Sequence, residues 1–239
     1  MSAMTFQPPL VLDSNSGDAG KNYPIALRIY ASASDKTELY QLRYRAFLDA
    51  GWIAANADGK FIDRYDGLAS TFAVGAFHNG ACIGSLRLAF GGAGYLAHTM
   101  PCEDQFTAEV RALNPARHYR TVEFSRMAVE PSLTNRSFRT TLYASLIRAG
   151  VILSNAADMD IALIAVHRRT SPFYQAMCGF KVAGKSDAYL GIDEPTDFLT
   201  LQFSEIKERR MRSNAFFAFS EHELHSAREA MSGLQNQVA

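Results

Sequence analysis

The chain has few cysteines, three in 239 residues: Cys82, Cys102 and Cys178. The number is odd and no two share metal-ligand spacing, so reduced thiols of a cytoplasmic protein are expected rather than a disulfide framework. The six histidines form no HxH or HxxxH pair, so no metal site is expected. Charge of one sign is missing too. Lys plus Arg number 24 and Asp plus Glu number 24, which argues against bulk attraction to nucleic acid. No apolar run approaches the ~18–20 residues that cross a bilayer, so no integral membrane segment is expected. Residues 1–20 lack a basic stretch followed by an apolar one, so no secretory leader is expected. There is one tryptophan, Trp52, and neither an internal repeat nor a low-complexity block.

Hydrophobic residues make up 48 % of the chain, enough at this length for one domain with a sizeable core. Residues 1–24, rich in Ser, Gly, Asn and Pro, read as a flexible N-terminal arm. Residues 25–239 read as a single domain ending in a helix. Ala26–Ala31 alternates and predicts a strand. Ser34–Ala50 predicts a helix, capped by Ser34 or Asp35, with Leu39, Leu42, Ala46 and Ala50 on one face. Arg43 and Phe47 lie one turn apart on the adjoining face. Trp52–Gly67 is a long connection holding Asp58, Asp63, Tyr65 and Asp66, of a length common in functional loops. Thr71–Phe77 and Ala81–Phe90 flank Asn79-Gly80, a strong hairpin signal. A short helix is expected near Glu103–Leu113.

The most informative stretch is Thr121–Arg139. It starts as an apolar strand, Thr121–Val129, interrupted by Glu123 and Arg126. Charges inside a core strand cost free energy unless they are paired or used. Pro131 ends the strand. A small-polar, basic turn over Ser132–Ser137 leads into a helix starting at about Phe138 and running to Asn155. A strand, a polar turn and a helix N-terminus together make an anion site, because the first N–H groups of the helix lack partners and its dipole favours negative charge. Asp160–Val166 reads as a strand buried on both faces, Thr170–Cys178 as a short helix, and Phe180–Ala183 and Phe198–Phe203 as strands. Lys207–Arg212 is a basic run, and Phe216–Met231 reads as the C-terminal helix. Mixed hairpins and crossovers predict an α/β fold with a mixed central sheet.

Four motifs in this order carry a resemblance. They are Leu39-Tyr40-Gln41-Leu42-Arg43 with Phe47 and Trp52, Asp63-Arg64-Tyr65-Asp66, Gly84-Ser85-Leu86-Arg87-Leu88, and Val122-Glu123-Phe124-Ser125-Arg126-Met127-Ala128-Val129. With the helices and strands that follow, they resemble the GNAT-like acyltransferase fold, whose mixed central β-sheet is splayed and flanked by helices. Within it they resemble the branch holding long-chain N-acyl amino acid synthases and LuxI-type acyl-homoserine lactone synthases. Phe61 stands where lactone synthases usually carry an acidic residue. Phe173-Tyr174 before Gly179-Phe180 is more similar to the N-acyl amino acid synthases. The favoured resemblance implies transfer of a long-chain fatty acyl group from an acyl carrier protein thioester to the α-amine of an amino acid. No cofactor is implied beyond the phosphopantetheine-linked donor. Two alternatives stay open: an autoinducer lactone synthase using S-adenosylmethionine, and a non-catalytic acyl-binding domain on the same fold.

The resemblance also assigns expected roles. An α-amine has a pKa near 8 and is mostly protonated near neutrality, so a general base is useful. Glu123 is the candidate, or else it only anchors Arg126 or Arg87 as a buried ion pair, with Arg43 a further partner. Strict alternation places Glu123 and Arg126 on opposite faces, so a bulge or splay is expected near Arg126–Ala128, exposing backbone N–H groups to the thioester oxygen. Regular pairing on both sides through Val129 is the outcome that excludes it. Arg87 and Arg126 suit a carboxylate, or else they tie the loop down. Asp63 and Asp66 are expected on the acceptor side as partners of Arg43, Arg87 or Arg126, or else as solvated turn residues. Ser125 is placed with them. Phe47 and Trp52 line the acyl or acceptor pocket, or are core. Met127, Ala128, Val129, Asn135, Arg136, Ser137 and Phe138 are the expected pantetheine cradle. The glycine-rich form of that turn is absent, which favours a carrier protein over coenzyme A. Arg136, Arg139, Arg168 and Arg169 offer a basic patch for its acidic surface. Tyr174 is a candidate proton donor to the leaving thiolate, or simple packing.

Overall fold

A computed structural model describes residues 25–31, 35–94, 99–205 and 219–235. The expected N-terminal arm, Ser34 and the basic run Lys207–Arg212 lie outside the described residues. In chain order the strands are β1 (Ala26–Tyr30), β2 (Thr71–His78), β3 (Ala81–Gly92), β4 (Arg120–Val129), β5 (Ile161–His167), β6 (Lys181–Ser186) and β7 (Thr196–Gln202). The helices are α1 (Thr37–Asp49), α2 (Thr107–Leu113), α3 (Arg136–Ala156), α4 (Ser171–Cys178) and α5 (Glu221–Gln235), with a 3-10 turn at Pro101–Asp104 before α2. The seven strands form one sheet in the order β1-β2-β3-β4-β5-β7-β6. Every neighbouring pair is antiparallel except β4 with β5.

Local chemistry accounts for most boundaries. Asn79 and Gly80 both have positive φ, 50° and 81°, the requirement of the two-residue turn that matches strand twist. Asn135 caps α3 by accepting from the Phe138 backbone N–H at 2.9 Å. The helix therefore begins at Arg136, two residues before the sequence expectation. Gly179, at φ 83°, stops α4. The poorly patterned region after β3 holds the 3-10 turn and α2, so the single expected helix is broken in two. α5 is displaced toward the C-terminus from the expected Phe216–Met231, whose first residues lie outside the description.

Burial sorts the sheet into two faces. On one, α3 lays Leu142, Leu146, Ala149, Ile152 and Leu153 against Val74, Leu86, Leu88 and Val122. Gly150 is required here, since a Cβ on it would meet Phe124 at 2.3 Å. On the other face, α1 packs Leu39, Leu42 and Phe47 against Ala73, Phe77 and Ala128. Beside it, Met100, Cys102 and Phe106 cover Ile161, Leu163 and Phe198. The charged residues of β3 and β4 lie where these two covers meet. No helix of the described residues is long and apolar enough to cross a membrane.

β4 is the irregular element. Toward β5 it pairs only from Thr121 to Phe124, while β5 continues to His167 along β7. Toward β3 it pairs to Val129, but Ser85 lies opposite Ala128 and Arg87 opposite Ser125. Arg126 and Met127 thus face the single residue Leu86, which is a β-bulge. Arg126 adopts φ 54°, a left-handed conformation uncommon for a residue with a Cβ. The bulge and the splay stand at the expected place.

Candidate active site

The bulge brings Arg126 to the face it would leave under strict alternation. Arg87 and Arg126 share one carboxylate: Arg87 Nη1 donates to Asp63 at 2.6 Å, and Arg126 donates to its other oxygen through Nε at 3.0 Å and Nη2 at 2.8 Å. Asp66 takes Arg43 Nη1 at 2.7 Å and lies 3.5 Å from Arg87. Three arginines from α1, β3 and β4 are thus gathered by two aspartates of one loop. Arg43 and Arg87 are fully buried and Asp66 nearly so. The solvated-turn reading of the aspartates is excluded. Buried charges need this degree of pairing, because each uncompensated ion costs several kcal/mol.

The electrostatics follow. Burial opposes the charge on Asp63, but Arg87 and Arg126 outweigh it and hold its carboxyl down at about 2. Asp66 is lowered in the same way by Arg43 and Arg87. Lys36, which sequence reasoning did not select, donates to the Asp66 carbonyl at 2.6 Å. Burial, with Arg43 and Arg87 nearby, brings its amine down to about 8. The cations outnumber the two aspartates, and three of the donors are spare. Nε and Nη2 of Arg43 and Nη2 of Arg87 are buried without a hydrogen-bond partner. Buried unsatisfied donors are rare, and each calls for an acceptor.

Glu123 lies on the same face, fully buried. Its expected ion pairing with Arg126, Arg87 or Arg43 is replaced by two hydrogen bonds. The Cys102 backbone N–H donates to one oxygen at 2.7 Å, and the Tyr189 hydroxyl donates to the other at 2.6 Å. The reason is steric: the segment 100–106 and Tyr189 cap this part of β4, while Asp63 and Asp66 claim the arginines. Burial raises the Glu123 carboxyl, and Arg87 with the two donors restrains the rise. A carboxylate moved toward neutrality is better matched to take a proton near pH 7.

The other expected residues fall into two groups. Ser125 joins the cluster, accepting from Arg87 Nε at 3.1 Å. Phe47 is core, 5.6 Å from Trp52 and 5.2 Å from Phe61. Phe61 in turn lies 4.7 Å under the Arg126 guanidinium. Trp52 stacks on His167 at 6.1 Å, so the loop reaches across the mouth of the splay to the end of β5. Met127, Ala128 and Val129 form the part of β4 beyond its last pair with β5. Their edge faces the opening.

The donor turn is simpler than expected. Phe138 is buried in the core, and its N–H is taken by Asn135. The backbone N–H groups that remain at the first helical positions are those of Arg136 and Ser137. Arg139 donates to the carbonyls of Glu130 and Leu133, and Arg168 pairs with Asp197. Of the four arginines proposed as a patch, these two are engaged within the chain. Tyr174 packs against the main core and against Phe173 and Phe180, and burial raises its hydroxyl. This favours the packing reading. Tyr189 carried no sequence signal, since it sits in an irregular segment with no periodicity to place it, and Lys36, at the start of the predicted helix and the cap position of α1, falls outside its apolar period.

A bulged and splayed central strand, a capped helix after it and a carboxylate beside an arginine cluster define a GNAT-like acyltransferase. The comparisons with known proteins narrow the class. The family model described as "N-acyl amino acid synthase FeeM" matches residues 38–202, and the chain belongs to that family. It is an N-acyltransferase. The solved structure of FeeM, an N-acyl amino acid synthase from uncultured soil microbes, is similar at 16 % identity. It covers 84 % of this chain and 100 % of its own, with a TM-score of 0.63. The acyl-homoserine lactone synthase LasI covers 76 % of this chain and 91 % of its own at 18 % identity and a TM-score of 0.56. TofI, solved with an inhibitor and MTA, covers 73 % of this chain and 89 % of its own at 17 % identity and a TM-score of 0.53. At these identities the structures share the fold. No match was found among curated protein sequences.

Proposed function

We propose that the protein transfers a long-chain fatty acyl group from an acyl carrier protein to the α-amine of an amino acid. The observation that carries the acceptor is the set of three buried, unpartnered arginine donors, on Arg43 and Arg87. An amino acid brings a carboxylate, which matches a guanidinium edge in shape and charge. With its carboxylate there, its amine approaches Glu123. Glu123 takes the ammonium proton, directly or through one water, and frees the amine lone pair. The lone pair attacks the thioester carbonyl and a C–N bond forms. The C–S bond then breaks, and the departing pantetheine thiolate takes the proton that the nitrogen sheds on becoming an amide.

The donor arm enters between β4 and β5, where the ladder ends after Phe124 and Ile164. Unpaired backbone N–H groups at a strand edge are ready donors, here for the oxyanion of the tetrahedral intermediate. The phosphate end meets the N-terminus of α3 at Arg136 and Ser137. The absence of a glycine-rich turn supports a carrier protein, whose own surface adds binding energy. Phe61, packed under Arg126 and against Phe47, supports an amino acid over S-adenosylmethionine.

The test is product mass. Incubation with palmitoyl-loaded acyl carrier protein and a mixture of the standard amino acids should release thiol and yield an N-palmitoyl amino acid. A lactone formed only with S-adenosylmethionine overturns the acceptor. Equal or faster turnover of palmitoyl-coenzyme A overturns the donor. Glu123→Gln should lower kcat by about 10²–10⁴-fold.

A further inference from the structure

The connection between β6 and β7 touches β4 at two points. At its tip, Tyr189 and Ile192 exchange two backbone hydrogen bonds, of 2.8 and 3.0 Å. Leu190 and Gly191 between them have φ of 46° and 81°. Both central residues are left-handed, which is the turn that Asn-Gly fills without strain. Leucine at the first position is an uncommon and costly choice. What that conformation achieves is visible in the contacts. The Leu190 carbonyl accepts from Arg126 Nη2 at 2.8 Å. One residue earlier, the Tyr189 hydroxyl donates to Glu123 at 2.6 Å. Arg126 is itself left-handed at φ 54°. Two strained residues from separate elements therefore meet in one hydrogen bond, beside the carboxylate. Tyr189 is nearly fully buried and stacks on Phe106 at 6.0 Å, so the turn is seated rather than loosely attached.

We propose that the β6–β7 turn is a strap that positions both charged side chains of β4. Tyr189 is the positioning residue of the Glu123 carboxylate, and the Leu190 carbonyl is that of Arg126. The idea rests on Glu123 as the proton acceptor and adds residues to that site. A carboxylate buried against apolar neighbours is free to rotate about its last bond unless donors fix it. Here the Cys102 N–H holds one oxygen and the Tyr189 O–H the other, and the Cys102 thiol adds a third donor, so about one of the carboxylate's roughly four acceptor sites is left for the amine proton. The groups facing Glu123 are Arg87 from β3, Tyr189 from the strap and Cys102, through both its N–H and its thiol, from the 3-10 turn. Each of these donors favours the charged form, so losing one raises the carboxyl further.

The direction of the effect follows. The base must be ionised to act, so its titration sets the acid limb of the pH profile. Tyr189→Phe keeps the ring packing and removes only the hydroxyl. It should move the acid limb of kcat/KM upward by about one pH unit, lowering the rate about tenfold on that limb and less on the plateau. Gly191→Ala puts a side chain on a left-handed backbone. It should disturb the carbonyl that holds Arg126 and raise the acceptor KM several-fold. Gly191→Asn tolerates that backbone and should return KM toward the wild-type value.

The experiment measures kcat/KM against pH for wild type, Tyr189→Phe and Glu123→Gln, with palmitoyl-loaded acyl carrier protein and the amino acid found in the product. The acceptor KM of the two Gly191 variants is measured alongside, with Tm for all. Loss of activity in Glu123→Gln together with an upward limb shift in Tyr189→Phe supports the strap. Loss in Glu123→Gln with an unmoved limb in Tyr189→Phe overturns the Tyr189 role and leaves Glu123 as base. Retained activity in Glu123→Gln overturns the base itself, and the Tyr189 role with it. An unchanged KM in Gly191→Ala, or an equal rise in Gly191→Ala and Gly191→Asn, overturns the Arg126 role.

Discussion

The two sides of β4 hold charge in opposite ways. Toward the loop after α1, three arginines and two aspartates are packed out of water and bonded to one another. At the turn after β4, Arg136 is exposed, and Asn135, also exposed, serves as a helix cap. Ions in the interior are stable only as a connected set, so removing one strands its partners. Charges at the surface are screened by water and salt and can change singly at little cost. The acceptor side is therefore a shaped site whose residues stand or fall together. The donor side is a landing place whose energy must come largely from what lands there.

The sharpest way to break this comparison is Asp63→Ala. It leaves Arg87 and Arg126 without their shared carboxylate, the loss for which buried pairs cost about 3–5 kcal/mol. Thermal unfolding should show Tm lower by on the order of 10 °C for a chain of this size. An unchanged Tm would mean that the loop carries no stability and that the cluster is not a unit. The same pair predicts a pH dependence. Asp63 titrates at about 2 in the fold against an ordinary 3.8, a depressed carboxyl. Its stabilisation is fully present above about pH 4 and is lost as the pH falls through 2. Denaturant unfolding of wild type against Asp63→Ala, followed from pH 6 to pH 2, should show the gap between them closing at the acid end.

A step smaller is Arg43→Met, which keeps length and apolar bulk but removes two of the unpartnered donors and the partner of Asp66. It should raise the acceptor KM by more than tenfold while the donor KM moves little. Equal rises in both would remove the distinction between the two sides, and with it the assignment of the spare donors to the acceptor.

These residues were legible because interior charge is conspicuous in a sequence. Glu123, Arg126 and Arg87 stand inside apolar strands, and Arg43 shares a helix face with Phe47. A buried charge has to be used or paired, so pattern alone pointed at them. The bulge was legible for the same reason: alternation put Glu123 and Arg126 apart, and a site needed them together. What pattern cannot supply is the pairing itself. Which aspartate serves which arginine depends on how a loop without periodicity folds, and Glu123 found Cys102 and Tyr189 instead of an arginine. Tyr189 was invisible because its role rests on a left-handed Leu190, which the sequence gives no reason to expect. On the donor side the apolar period begins only at Phe138, two residues after the true helix start, because the first turn after the Asn135 cap is polar.

At the small end, Asn135→Ala should cost about 1 kcal/mol, because the Phe138 N–H loses its cap. Thermal unfolding reads it as a Tm lower by a few degrees. Arg136→Ala goes further toward a purely functional change. Its side chain is exposed, so Tm should stay within the range of ordinary surface substitutions, about 0.5 kcal/mol. The donor KM should nevertheless rise several-fold at low salt, where an exposed charge still attracts an acidic carrier surface. The difference from wild type should shrink as ionic strength passes about 0.15 M, where screening falls within about 8 Å. A salt-independent rise would instead place Arg136 in a desolvated contact and make the donor side resemble the acceptor side. A rise seen with palmitoyl-coenzyme A but not with the carrier protein would assign Arg136 to the small donor's phosphates rather than to a protein surface.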